Sequence, residues 1–273
     1  MVNAPPELGG TPELGDAPEL GNAPELGNAP GRIDVLGVEF DDLPMRAVVS
    51  RALEIIRGGK AARAVTPNPE IVRMARGNPA LREALRTAAL VLPDGVGIII
   101  AARILGKPLR HGRIPGIDFA GALFEELATG GGSVYLLGAK PGVAREAGLR
   151  LREKYPGLAV AGEEHGYFDE DGPVIERINL AGPDLLLVCL GAPKQELWMA
   201  ENAGRLNVPL CVGLGGSLDI FAGRVKRAPA IFRRLGLEWL YRLAREPYRI
   251  KRMIKLPLFI LAAIRLRVKR GGK

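Results

Sequence analysis

Three polar side chains early in the chain have types and spacing suited to chemistry at a sheet edge. Thr66 and Asn68 follow a short apolar run at 62–65, and Asp94 follows a second run at 89–92. Each run halts at a proline, Pro67 or Pro93, which cannot continue a central ladder. Ligands in open α/β sheets bind beyond the carboxyl ends of the strands. If the two runs are parallel neighbours, a hydroxyl, an amide and a carboxylate face one crevice. The same three residues also suit turns and helix caps. Asp94, set between Pro93 and Gly95, has little helix to cap before Gly97.

Three later runs end in glycine loops, Gly138-Ala-Lys-Pro-Gly142, Gly191-Ala-Pro-Lys-Gln195 and Gly213-Leu-Gly-Gly-Ser217. Glycine lets backbone N–H groups approach an anion, and a helix N-terminus behind it favours negative charge. Lys140 and Lys194 add point charges suited to a diphosphate. Plain strand-to-helix turns have the same composition. None of the loops is Gly-x-Gly-x-x-Gly or a Walker loop, so neither NAD nor ATP is favoured. Asp169-Glu-Asp171 offers hard oxygen ligands at acid-x-acid spacing. It directly precedes Gly172-Pro173 and a predicted helix, where acids favour the N-terminal dipole, and the helix-start reading is preferred. His111 and His165 are the only histidines, and Cys189 and Cys211 sit in predicted buried strands without Cys-x-x-Cys spacing. No zinc site is expected, and the thiols read as reduced, in a cytoplasmic protein.

The elements that must hold these groups follow from periodicity. A strand is predicted at 33–38, then a helix at 43–56, capped by Asp42 and apolar along Ala47, Val48, Leu53 and Ile56. Helices follow at 70–76, 79–87 and 96–105. An irregular basic loop at 110–118 leads into a helix at 119–128 with Asp118 as its cap. From residue 133 the pattern alternates: strands at 134–137, 158–161, 185–190 and 210–214, helices at 143–154, 173–180 and 194–203. Fully apolar strands alternating with helices mark a parallel sheet covered on both faces. The predicted fold is α/β, a doubly wound, Rossmann-like and mostly parallel sheet over 32–222.

The flanks differ in character. Over 1–31, Pro-Glu-Leu-Gly recurs every six residues with too little apolar surface to stack. It reads as a disordered, mildly acidic tail, without the basic start and apolar core of a signal peptide. Residues 224–273 carry 16 Lys or Arg against Glu238 and Glu246, which leaves −6 on the rest of a chain whose net charge is +8. Phe232, Leu235, Trp239 and Leu243 share one helical face, with Arg234, Glu238, Arg242 and Arg245 on another. A nine-residue apolar run at 256–264 is far short of the roughly 20 residues that span a bilayer. Residues 223–273 are therefore predicted to form a basic amphipathic helical appendage that lies on an anionic membrane surface. A helix packed on the main domain with a solvated charged face is the alternative, and the two are compatible for different parts.

Taken in order, the motifs resemble a known family. Thr66-Pro-Asn-Pro-Glu70, Leu92-Pro-Asp-Gly95, Tyr135-Leu-Leu-Gly-Ala-Lys-Pro-Gly142, His165-Gly-Tyr-Phe168, Leu190-Gly-Ala-Pro-Lys-Gln-Glu196, Gly215-Gly-Ser217 and Arg227-Ala-Pro229 are similar to those of the WecG/TagA/CpsF glycosyltransferases. The resemblance implies an inverting enzyme moving N-acetylmannosamine, or a related sugar, from a UDP-sugar to N-acetylglucosaminyl-diphospho-undecaprenol. The products serve teichoic acid or surface polysaccharide. It implies Asp94 as general base, with Thr66 beside it and Asn68 and Gly95 at the sugar or acceptor. Arg113 and Asp118 come to the substrate from the basic loop. Gly138, Lys140, Gly191, Lys194, Gln195, Gly215, Gly216 and Ser217 hold the donor. Arg227, Arg233 and Arg234 neutralise the leaving diphosphate. No metal or other cofactor is expected, and the enzyme sits peripherally on the inner face of the plasma membrane. A homo-oligomer stays open. A nucleic-acid-binding protein with a basic C-terminal arm is the competing class. It accounts for the basic tail, but not for the apolar run beside it or the acidic remainder. A different UDP-sugar donor is a further alternative, because epimers differ only in the placement of one hydroxyl.

Overall fold

The computed structural model describes residues 31–234, 236–245 and 255–271. The predicted tail over 1–31 lies outside them except for Gly31. The first element differs from expectation. In place of one strand at 33–38, β1 (Ile33–Val35) and β2 (Val38–Phe40) form an antiparallel hairpin. Its two turn residues, Leu36 and Gly37, both have positive φ (56° and 91°), and the Asp34 carboxylate accepts the Gly37 N–H at 2.7 Å. Such a turn matches strand twist and usually carries Asn-Gly, so a leucine at its first position conceals it.

The main sheet contains β3 (Ala62–Val65), β4 (Leu90–Val91), β5 (Ser133–Gly138), β6 (Ala159–Glu164), β7 (Leu185–Cys189) and β8 (Leu210–Gly213), in the order β4-β3-β8-β7-β5-β6. Every pairing is parallel. Adjacent strand residues point to opposite faces, and both faces are buried. Val65, Val91, Tyr135, Leu186, Val188 and Cys211 enter one core with α2 (Pro69–Gly77), α3 (Pro79–Arg86), α4 (Val96–Ile104), α7 (Asp171–Ala181) and α8 (Lys194–Glu201). Ala64, Leu90, Val134, Leu136, Leu187 and Val212 enter the other with α1 (Met45–Gly58), α5 (Gly116–Thr129), α6 (Val143–Lys154) and α9 (Ser217–Phe221). This is the doubly wound α/β fold expected from the alternation.

Two predicted caps are corrected. The N-cap of α1 is Pro44, already extended at φ −69°, and Asp42 instead accepts the backbone N–H groups of Arg110 and His111 at 2.9 and 3.0 Å. The carboxylate thus ties down the start of the basic loop. Helix α5 begins at Gly116 behind Pro115, so Asp118 lies in its first turn rather than capping it. Strand β6 is longer than the predicted 158–161. It lies at the sheet edge, where one side reaches water and charged Glu163 and Glu164 are tolerated.

Among the described residues the appendage contains α10 (Ala230–Arg234), α11 (Glu238–Arg245) and α12 (Lys255–Gly271). The single helical face drawn from Phe232 to Leu243 is broken at Gly236, whose φ of +71° ends α10. Leu235 lies outside the described residues. Helix α12 packs on α4 and α2, with Phe259 and Ala263 fully inside the core. Its other side exposes Leu258, Leu261, Ile264 and Val268. Among the described residues no helix is long and apolar enough to cross a membrane.

Candidate active site

Strands β3 and β8 are neighbours, but the helices that follow them pack on opposite faces of the sheet. A crevice must open at their carboxyl ends, as at any switch in winding direction. It holds a cavity of about 410 Å3, a volume typical of small-molecule sites. Thr66, Asn68, Asp94 and Gly95 line it from β3 and β4, and Gly191, Gln195, Gly215, Gly216 and Ser217 from β7 and β8. Arg113 reaches it from the basic loop.

Each side chain has a local reason for its position. The Thr66 hydroxyl, buried, donates to the Gly213 carbonyl at 3.1 Å and so ties β3 to the β8 loop. Asn68 caps α2, its Oδ1 accepting from Glu70 and Ile71 N–H at 2.9 and 3.2 Å. Cap and cavity lining coexist, since one amide oxygen serves the helix. Asp94 is half-buried, and its backbone N–H donates to the Pro67 carbonyl at 3.3 Å, which holds the β3 and β4 loops together. The N-cap of α4 is Gly95, with φ +88° and no side-chain cap. The Ser217 hydroxyl donates to the Leu214 carbonyl at 2.8 Å.

The appendage closes one side. Gly236, Glu238, Trp239 and Leu256 line the cavity. Glu238 pairs with Arg113 at 3.1 Å and with the Arg227 Nε at 3.6 Å, while Arg227 makes a bidentate pair with Asp118 at 2.6 and 2.6 Å. Arg113 also donates to the Arg233 carbonyl. Glu238 was not among the candidates. Its signal was isolation, an acid among sixteen basic residues.

Other candidates are set apart. Gly138 packs on the backbone of Cys189, Lys140 is exposed, and Lys194 lies over the Phe168 ring at 5.1 Å; none of them lines the cavity. Asp118 and Arg227 border a neighbouring groove between α5 and α6. The Arg233 Nε is buried without a partner among the described residues, and the Arg234 side chain lies outside them. Asp171 begins α7, as the helix-start reading held, and accepts from the Trp198 indole at 2.9 Å and Asn202 at 3.1 Å. Burial pushes the Cys189 and Cys211 thiols up to about 12, so neither is a nucleophile.

The chain matches the model of the "Glycosyl transferase WecG/TagA/CpsF family" over residues 33–273. It is 36% identical over 245 residues to proteins of Staphylococcus aureus strains MW2, NCTC 8325 / PS 47 and COL. The aligned region covers 88% of this chain and 96% of each relative. All three bear the name N-acetylglucosaminyldiphosphoundecaprenol N-acetyl-beta-D-mannosaminyltransferase.

Proposed function

From a chain that belongs to the WecG/TagA/CpsF family of glycosyltransferases, we propose transfer of N-acetylmannosamine from its UDP donor to N-acetylglucosaminyl-diphosphoundecaprenol. The observation that carries this reading is the meeting of Thr66, Asn68 and Asp94 in one cavity with Arg113 and the glycine loop of β8. The acceptor hydroxyl oxygen bonds to the anomeric carbon, the bond from that carbon to the diphosphate breaks, and the configuration inverts. Asp94 takes the hydroxyl proton, and UDP leaves. Thr66 and Asn68 orient the sugar, and the β8 loop, tied to Gln195 at Gly215, brings Gly216 and Ser217 to the donor. Arg113 and Arg227 share one carboxylate, Glu238; a diphosphate offers the same two cations more charge. No metal is needed in this scheme, and both Asp171 oxygens are engaged by Trp198 and Asn202.

The enzyme works from the membrane surface. The exposed stripe of Leu258, Leu261, Ile264 and Val268 on α12, with exposed Arg265, Arg267 and Lys269, suits shallow insertion into an anionic leaflet. The test is incubation of the full chain with UDP-N-acetylmannosamine and a short-chain lipid-diphosphate N-acetylglucosamine. Release of UDP with the acceptor heavier by one N-acetylhexosamine supports the reading. Product from a different UDP-sugar alone overturns the choice of donor, and no product from any UDP-sugar overturns the reaction.

A further inference from the structure

Glu196 has no part in the chemistry above, yet its side chain is the most deeply buried acid of the described residues, at 1% exposure in the first turn of α8. Its Oε1 accepts from the Gln195 Nε2 at 2.8 Å, and its Oε2 has no partner among the described residues. Burying an acid with so little compensation is costly. The position makes sense through Gln195, also buried, whose Oε1 accepts the Gly215 N–H at 2.7 Å. Gly215 lies in the 213–217 loop that walls the cavity, and the Gly213 carbonyl of that loop accepts the Thr66 hydroxyl.

An amide has opposite hydrogen-bond senses at its two ends. Turned end for end, Gln195 would aim its NH2 group at the Gly215 N–H, donor against donor, and the loop would lose its tie. An acceptor beside Nε2 therefore decides which end meets the loop. Gln195 also packs closely on the loop: a Cβ on Gly213 would lie 3.2 Å from the Gln195 Nε2 and 2.8 Å from the Met199 methyl. We infer that Glu196 is a positioning residue of the site. By accepting from Gln195 it holds the Gln195 carbonyl on Gly215, and so sets the wall that carries Gly215, Gly216 and Ser217 and receives Thr66.

Only the kinetic arm of the test rests on the glycosyl-transfer reading. The full chain is compared with Glu196→Met, which keeps the volume and removes the acceptor, and with Glu196→Gln, which restores a neutral one. Amide exchange of the 213–217 segment and transfer kinetics are read together. Glu196→Met should speed exchange at Gly215 by about tenfold or more, the scale of one lost hydrogen bond, while strands β5 and β7 stay protected. Its donor kcat/KM should fall by a similar factor. Glu196→Gln should recover both to within about threefold, which a purely space-filling role would not require. Wild-type exchange in Glu196→Met, or a Glu196→Gln loop as free as that of Glu196→Met, overturns the inference. Gln195→Met cuts the same link from the other side and decides the matter if Glu196→Met fails to fold: a loop still protected in it also overturns the inference. A wild-type chain that transfers no sugar, with the exchange pattern as expected, overturns the reaction and leaves the positioning role standing.

Discussion

Asp94 stands half-buried at the cavity, beyond the end of β4, and is the base in the reaction proposed above. Asp94→Asn keeps the shape and removes the base. Turnover should fall by about 10²–10⁴-fold with UDP binding and melting temperature retained; near-normal turnover would take Asp94 out of the mechanism. Glu196 gives a second prediction at this scale. Burial pushes its carboxyl above the ordinary glutamate value of 4.5, so the folded chain keeps a proton that the unfolded chain has released. Stability must then fall as pH rises from about 4.5 through the raised value. Glu196→Gln removes that dependence, so urea melts at pH 5 and pH 8 should differ less for the variant than for the wild type. The placement of Thr66 and Asp94 at the cavity was legible in the sequence because a strand that halts at a proline exposes whatever stands at the halt. Glu196 and Glu238 were not. Their meaning comes from partners far along the chain or from burial, as with Arg113 and Arg227 around Glu238.

Helix α12 shows why an apolar run is ambiguous until its neighbours are known. The nine residues at 256–264 read as one surface, yet a helical turn of 3.6 residues sends Phe259 and Ala263 into the core and Leu258, Leu261 and Ile264 outward. The two sides should respond differently to substitution. Phe259→Ala should cost about 3 kcal/mol, as for a large buried aromatic, unless α12 detaches first, and a urea melt measures it. Leu258→Ser with Leu261→Ser should change stability by no more than about 0.5 kcal/mol and yet lower co-sedimentation with anionic vesicles. Vesicle binding equal to wild type would remove the stripe from the membrane role. The sheet was legible because strands buried on both faces leave an unbroken apolar signature. The β1–β2 hairpin and the charged end of β6 lacked one, since a turn built on Leu36 and an edge strand open to water break the usual patterns.

Across the whole molecule, charge and chemistry are divided: the sheet supplies Thr66, Asn68 and Asp94, and the basic appendage closes over them with Glu238 and Trp239. In the proposed scheme Arg113 and Arg227 supply the positive charge, so EDTA should leave transfer within about twofold of untreated enzyme, as for chemistry in which no metal takes part. Loss on chelation, restored by magnesium or manganese, would reverse that reading. Leu256, which lines the cavity, and Leu258, which faces outward, are one short step apart on α12, about 3 Å along a helix axis. If the outward stripe seats in a bilayer, as proposed, Leu256 brings the edge of the cavity to the lipid surface, and an acceptor anchored there by its own lipid would meet the site without leaving the membrane.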